Sequence, residues 1–123
     1  MEKTFSFGKQ LRLRSAHDFA NVFNGRSGAT LKLNAGRCIF LYRGNELSCP
    51  RLGVVISKKN VSLAVERNRL KRIVKESFRL RQHQLENIDC VVLIYKDADQ
   101  LSNMEWKEVL EKQWIKLCKK NYL

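Results

Sequence analysis

The sequence predicts a single-domain α/β sandwich of the α+β class, with helices packed on one sheet in the order α-β-β-α-β-α. Its 123 residues are enough for one hydrophobic core but not for two separate ones. Two apolar runs of strand length, 52–57 and 88–95, flank the range 62–82, which has helical periodicity. We therefore predict a βαβ crossover over residues 51–95, with strands that can pair in parallel, inside one domain, 1–123.

The N-terminal part is predicted to be an extended basic arm, residues 1–14, followed by a short helix. Ser15 is a good N-cap for that helix, and Asp18 three residues later completes a capping-box arrangement. Phe19 and Phe23 fall on one side of the predicted helix.

The remaining elements are one β region before the crossover and one helix after it. Residues 31–43 alternate in the manner of a strand with both faces partly covered. Ser102 and Glu105 form a second capping box that opens the last helix. Its apolar stripe, which includes Trp106 and Trp114, is expected to lie in the core.

The charge of the chain is strongly positive and unevenly distributed. The net charge is +12 and the pI is near 9.9, which indicates a polyanionic partner. Residues 51–83 hold ten Lys and Arg against two acids, whereas residues 84–123 are close to neutral. Binding is therefore expected in the first two-thirds of the chain. The sequence has no apolar run of membrane-spanning length and no signal-peptide core, which predicts a cytoplasmic protein without a membrane partner.

No catalytic or metal-binding constellation stands out. The four cysteines lie far apart and the two histidines are isolated, so the spacing does not favour a metal site. There is no Ser/His/acid set, and His17 beside Asp18 is expected to be a surface residue of the first helix turn. From these residues alone, the chain would not be classed as an enzyme.

The predicted helix 62–82 has one apolar and one basic face. At roughly 100° per residue, the apolar face comprises Leu63, Leu70, Ile73, Val74, Ser77 and Phe78. The opposite face comprises Asn68, Arg72, Lys75 and Arg79, with Arg69 and Lys71 on its flanks. Most helical charge runs are solvated faces, but those normally interleave the two signs. Like charges placed side by side favour a polyanion partner instead, and the arginine fork suits phosphate oxygens.

This region also carries a family resemblance. The string Lys58-Lys59, Glu66-Arg67-Asn68-Arg69-x-Lys71-Arg72 and Glu76-x-Phe78-Arg79, preceded by Arg51-Leu52-Gly53, resembles the signature of the bacterial ribonuclease P protein subunit. The sequence departs from that pattern at Lys75, where the family often has arginine. It also departs at residues 60–63, where a glycine or a further basic residue is expected.

The resemblance implies a fold and a reaction that the residues alone do not show. It implies a left-handed crossover, as in a related ribosomal-protein domain, although right-handed crossovers are the general rule. In ribonuclease P, the RNA subunit carries the active site and holds Mg²⁺. The enzyme hydrolyses one phosphodiester of precursor tRNA and releases the 5′ leader. The protein, a monomer within the holoenzyme, would be one RNA-binding domain without catalytic residues or a metal site.

The resemblance also assigns two RNA surfaces. The residues expected to bind the catalytic RNA are Lys58, Lys59, Arg67, Asn68, Arg69, Lys71, Arg72, Lys75 and Arg79. The leader is expected in a cleft between the first helix and the sheet, lined by Phe19, Phe23, Phe40, Tyr42, Arg12 and Arg14. Stacking platforms beside basic residues suit single-stranded RNA. Alternatively, Phe19 and Phe23 attach the helix to the core, or one ring does so while the other lines the cleft.

Two other functions fit the charge. A structural RNA-binding protein of the ribosome would share the charge and the fold, but its RNA-facing residues need not follow the R-N-R string. A DNA-binding regulator could read the major groove with the helix 62–82. The strands predicted on both sides of this helix disfavour a helix-turn-helix arrangement.

Overall fold

The computed structural model describes residues 8–23 and 30–119, and within them the chain forms three α-helices and four strands. The helices are α1 (Ala16–Phe23), α2 (Ala64–Arg81) and α3 (Asn103–Lys116), and the strands are β1 (Leu31–Asn34), β2 (Cys38–Gly44), β3 (Arg51–Val55) and β4 (Ile88–Ile94). Short 3-10 helices at Lys9–Leu11 and Ala98–Gln100 precede α1 and α3. None of the helices in the described ranges is long and apolar enough to cross a membrane.

The four strands form one sheet in the order β1-β2-β4-β3, so that β4 is an inner strand and β3 lies at an edge. Strand β4 pairs antiparallel with β2 and parallel with β3. Helix α2 connects the two parallel strands. The predicted α+β fold is confirmed, together with the parallel pairing across its βαβ crossover.

The predicted β region 31–43 is two strands rather than one. Strands β1 and β2 are antiparallel neighbours joined by a turn in which Gly36 has a φ of +85°. The Asn34 Oδ1 atom accepts a hydrogen bond of 2.9 Å from the Gly36 N–H. Asparagine and glycine are the residue types that such turns favour. The turn was not predicted because the residues on both sides of it alternate as they would in one continuous strand.

The predicted N-terminal arm is described only in part, because residues 1–7 lie outside the described ranges. The following residues do not stand apart from the domain, since the Leu13 N–H donates a 3.0 Å hydrogen bond to the Leu52 carbonyl at the edge of β3. The capping box of α1 is confirmed. The Asp18 N–H donates to Ser15 Oγ over 3.0 Å, and the Ser15 N–H donates to the Asp18 carboxylate.

The main core lies between one face of the sheet and helices α2 and α3. Trp106 and Trp114 are fully buried there, as predicted for the stripe of the last helix. The indole N–H of Trp114 donates to Ser77 Oγ over 2.6 Å, which satisfies both buried groups. The capping box of α3, formed by Ser102 and Glu105, is also confirmed.

Helix α2 begins later than predicted. Its first residue is Ala64 rather than Ser62, and the side chain of Leu63 is 60% exposed instead of lying on the apolar face. The preceding residues form a turn in which the Val61 N–H donates to the Ser57 carbonyl, and Val61 is buried in the main core. The rest of the face is as predicted: Leu70, Val74, Ser77 and Phe78 are buried and Ile73 is partly buried.

Candidate nucleic-acid interface

The outer face of α2 forms a shallow basic depression. Its lining residues are Asn68, Lys71, Arg72, Lys75, Glu76 and Arg79. The opposite face of the helix is buried in the main core, so these side chains are held outward by the packing of α2. Arg79 bonds Glu76 one turn away, and this hydrogen bond lowers the pKa of Glu76. Glu76 therefore stays ionised, and the depression holds four cations against this one carboxylate.

Arg69 is oriented away from this depression. Its Nη1 donates to Asn103 Oδ1 over 2.6 Å, and its Nε donates to the Glu66 carboxylate over 2.9 Å. Its Nη2 donates to the backbone carbonyl of Asp99. Arg69 thus ties α2 to the segment that begins α3. Its guanidinium is already engaged within the protein.

Arg67 also has partners within the chain. Its Nη1 donates to the carbonyls of Val61 and Ser62, each over 2.9 Å. These carbonyls belong to the turn between β3 and α2. Of the R-N-R triplet, only Asn68 lines the basic depression. Arg67 bonds carbonyls of the turn before α2, and Arg69 bonds a carbonyl of the segment before α3.

Lys58 and Lys59 lie in that same turn and are exposed. The turn is fixed by the Asn60 side chain, whose Nδ2 donates to the Ile94 carbonyl over 3.1 Å. Lys58 and Lys59 are not among the residues that line the depression on α2. They form a second, separate basic site at the N-terminal side of the helix.

The prediction that Phe40 and Tyr42 line a cleft beside α1 is wrong. Phe40 is fully buried on the far face of the sheet, where its ring meets Trp114 edge to face at 4.9 Å. Tyr42, two residues along the same strand, packs against the same main core. Because side chains alternate along a strand, Leu41 points toward α1 instead.

The two phenylalanines of α1 have different environments. Phe19 is partly buried and packs against a small second core of Leu13, Val22 and Val91, on the α1 face of the sheet. Phe23 is 43% exposed. The structure therefore favours the mixed alternative, with Phe19 attaching the helix and Phe23 left accessible.

Arg12 and Arg14 both line a groove with Asp18 and Arg51. Arg12 also lines a narrow cleft together with Lys71 and Lys75 of α2. One predicted leader residue is therefore placed beside two residues predicted to bind the catalytic RNA.

An ion-pair network that the sequence did not reveal anchors α1 to the sheet. Arg51 donates from Nε and Nη2 to the two oxygens of Asp89, over 2.8 and 2.7 Å. Its Nη1 lies 3.5 Å from Asp18 on α1. The hydrogen bonds to Asp89 raise the pKa of Arg51. The sequence does contain one sign of this network, because Asp89 interrupts an apolar strand and a buried carboxylate requires a cation.

The described residues offer no candidate metal centre. No three His, Cys, Asp or Glu side chains within ranges 8–23 and 30–119 are grouped so that they could hold a metal ion. The donor set therefore does not fit a Mg²⁺ site in this part of the chain.

Comparisons with known proteins identify the family. A sequence model described as Ribonuclease P matches residues 7–118. The chain is 40% identical over 119 residues to a ribonuclease P protein component from Saccharophagus degradans, covering 97% of this chain and 86% of that protein. It is 41% identical over 116 residues to the one from Vibrio cholerae, covering 94% and 95%.

Solved structures of ribonuclease P proteins have a fold similar to that of this chain. The ribonuclease P protein from Thermotoga maritima superposes with a TM-score of 0.74 at 27% identity, covering 88% of this chain and 98% of that one. The protein from Staphylococcus aureus reaches 0.78 over 89% and 98% at 22% identity, which supports the fold alone. Since the family match spans most of the sequence, the chain belongs to the ribonuclease P protein family.

Proposed function

We propose that this chain is the protein subunit of ribonuclease P, which binds the catalytic RNA and the 5′ leader of precursor tRNA. The holoenzyme hydrolyses the phosphodiester at the leader junction and leaves a mature tRNA 5′ end. Its active site and its Mg²⁺ belong to the RNA, and the protein acts as a monomer in the cytoplasm. Family membership and the basic depression on α2 support this proposal.

The basic depression carries the argument for binding the catalytic RNA. Lys71, Arg72, Lys75 and Arg79 project from a helix whose position is fixed by its buried face, so little side-chain packing has to change on binding. Each cation can neutralise a phosphate and release a counterion. Asn68 adds an amide that can donate to and accept from RNA groups.

Arg67 and Arg69 contribute indirectly in this proposal. Arg69 holds α2 against α3, and Arg67 fixes the backbone of the turn that carries Lys58 and Lys59. The signature then combines residues that contact RNA with residues that keep those contacts in place.

The leader is proposed to bind on the α1 face of the sheet. Phe23 is exposed there and can stack on a base, which is a contact that tolerates any leader sequence. The same face of the sheet offers Leu93, which is partly exposed, and Val55, which is 37% exposed. These two residues replace Phe40 and Tyr42 as the sheet side of the leader site.

Reconstitution tests the proposal. The protein is added to bacterial ribonuclease P RNA and a precursor tRNA, at a Mg²⁺ concentration too low for the RNA to cleave alone. We expect cleavage at the mature 5′ end to be restored. An unrelated basic protein of equal charge serves as the control, and absence of stimulation, or equal stimulation by the control, would contradict the proposed function.

A further inference from the structure

Helix α2 carries two Glu–Arg pairs that have the same spacing but different surroundings. Glu66 bonds Arg69 and Glu76 bonds Arg79, in each case three residues further along the helix. Arg69 also bonds Asn103 at the start of α3, and neither member of its pair lines the basic depression. Glu76 and Arg79 both line it. The second pair is therefore the one that an RNA strand bound in the depression would meet.

The carboxylate of Glu76 occupies one edge of the Arg79 guanidinium. The Arg79 Nε donates to Oε2 of Glu76 over 3.0 Å, and the Nη2 donates to Oε1 over 2.5 Å. A phosphate group offers two oxygens to an arginine fork in the same manner. An RNA phosphate must therefore displace the carboxylate from this edge, or bind beside a negative charge that repels it.

This pair is placed so that a ligand can open it. The side chain of Glu76 is 57% exposed and that of Arg79 is 30% exposed. Exposed ion pairs contribute little to stability, and α2 is held in place by its buried opposite face. Opening the pair therefore leaves the fold intact, and its main effect is on what binds to the depression.

Glu76 is the single acidic residue among those that line the depression. The other charged lining residues are Lys71, Arg72, Lys75 and Arg79. If tight binding of phosphates were the only requirement, a neutral side chain at position 76 would serve better. Interfaces that discriminate between partners combine attractive groups with groups that disfavour the wrong partner. A carboxylate among phosphate-binding cations fits the second of these roles.

We propose that Glu76 determines RNA specificity, because it disfavours RNA that brings only phosphates to the depression and accepts hydrogen bonds from unpaired-base amino groups of the catalytic RNA. In a non-cognate complex, Glu76 stays bonded to Arg79 and one cation is lost for binding. In the cognate complex, a base amino group bonds Glu76, and Arg79 becomes available for a phosphate. Carboxylates accept hydrogen bonds from exocyclic amino groups, and unpaired bases present those groups to proteins. This inference rests on the proposed function, which supplies the cognate RNA.

Binding to two RNAs tests the competition at Arg79. The cognate RNA is bacterial ribonuclease P RNA, and the non-cognate RNA has the same length and composition in scrambled order. Glu76→Gln should bind the scrambled RNA about fivefold more tightly than wild type does, because Arg79 no longer has a competing carboxylate. The slope of log affinity against log salt for this RNA should become steeper by about 0.7–0.9, which corresponds to one more phosphate contact. Neither quantity should increase for the cognate RNA.

Two variants remove a carboxylate outside the depression and serve as matched controls. Glu66→Gln breaks the equally spaced pair with Arg69, and Glu108→Gln alters the exposed face of α3. Both should leave the ratio of the two RNA affinities within about twofold of wild type. Thermal unfolding of all three variants verifies that the fold is kept. An equal gain for scrambled RNA in all three, or no gain in Glu76→Gln, would overturn the proposal.

The predicted contact with base amino groups is tested by analogue interference. The catalytic RNA is prepared with inosine, purine riboside or zebularine in place of some guanosines, adenosines or cytidines, since each analogue lacks the exocyclic amino group. At least one position should weaken binding of the wild-type protein and have no further effect in Glu76→Gln. If every position that weakens wild type weakens the variant equally, Glu76 bonds no amino group and the proposal is wrong.

The same measurements separate this inference from the proposed function. Wild-type protein that binds both RNAs equally and does not stimulate cleavage would reject the proposed function, and the specificity role with it. Wild-type protein that prefers the catalytic RNA, together with an unchanged preference in Glu76→Gln, would reject only the role of Glu76.

Discussion

The ring of Phe19 lies directly on the backbone of Gly53, so closely that a β-carbon at Gly53 would be 2.5 Å from the Cε1 atom. Real carbon contacts are not that short, and the ring occupies the space that a side chain would fill. The glycine that follows Arg51-Leu52 therefore allows α1 to approach the sheet. This contact sets the position of the helix that carries Phe23.

Replacing Gly53 by alanine should destabilise the protein. The added methyl group forces Phe19 out of its position, and such overpacking costs about 1–3 kcal/mol of the free energy of unfolding. Gly44→Ala is the matched control, since a β-carbon there meets nothing within 4 Å. Urea unfolding of both variants measures the difference. Equal stability of the two would show that Phe19 moves aside without cost.

The two phenylalanines of α1 should give different phenotypes when truncated. Phe19→Ala removes a packed ring and is expected to cost about 2–4 kcal/mol of stability, discounted from the full-burial range because the ring is only partly buried. Phe23→Ala should leave stability nearly unchanged and lose about 1–3 kcal/mol of leader binding. The assay compares precursor tRNAs with a long and a single-nucleotide leader. Equal impairment of Phe23→Ala on both substrates would contradict a leader-stacking role.

Arg69 and Arg72 lie three residues apart, and their substitution by alanine should have different effects. Arg72→Ala is expected to weaken binding to the catalytic RNA by about 1–3 kcal/mol, with unfolding unchanged. Arg69→Ala should instead lower the free energy of unfolding by about 1 kcal/mol, because its bonds to Asn103 and Glu66 are partly screened by solvent. Filter binding and thermal unfolding separate the two effects. An Arg69 variant of normal stability that binds RNA poorly would place that guanidinium at the interface.

Most of the fold follows from local patterns in the sequence. The capping residues Ser15 and Ser102 mark the two helices that they begin, and the alternation of apolar residues identifies strands. Periodicity does not reveal which face of a strand meets which helix, since both faces of β2 are apolar. Phe40 was therefore assigned to the wrong side.

The division of the R-N-R arginines could not be predicted for a related reason. Helical spacing places Arg69 on a flank, but its partners Asp99 and Asn103 come from a distant part of the chain. The sequence pattern around a charged residue is the same whether its side chain faces solvent, RNA or a backbone carbonyl. Only the tertiary arrangement separates these cases.

The anchoring of α1 should depend on pH. Burial of Asp18 opposes its ionisation, but hydrogen bonds from the backbone of Arg14 and Ser15, and the charge of Arg51, lower its pKa below the ordinary 3.8. A lowered pKa in the folded state means that the contribution to stability is complete above the unfolded pKa. It is lost as the pH falls from about 3.8 through the folded value.

The measurement is urea unfolding of wild type and Asp18→Asn between neutral and acidic pH. The two should differ by about 1 kcal/mol near pH 7. The difference should narrow as the pH drops below 3.8. Glu105, in the other capping box, has a lowered pKa too, so Glu105→Gln serves as a comparison on α3. A wild-type advantage that persists unchanged at the lowest pH would mean that the Asp18 charge is unimportant.

The salt dependence of RNA binding should reveal how many of the basic residues contact phosphate. Four cations line the depression of α2 and two more lie in the turn before it, and one of the four, Arg79, must exchange its exposed partner Glu76 for a phosphate. Arg67 and Arg69 are engaged within the protein. With about six phosphates neutralised, the slope of log affinity against log salt should be about −4 to −5, from roughly 0.7–0.9 per phosphate.

Single variants sharpen this measurement. Arg72→Gln should make the slope shallower by about one, whereas Arg69→Gln should leave it unchanged, because only the first removes a phosphate contact. Lys112→Gln, on the exposed face of α3, controls for net charge. A wild-type slope shallower than about −2 would mean that most of the basic surface stays solvated in the complex.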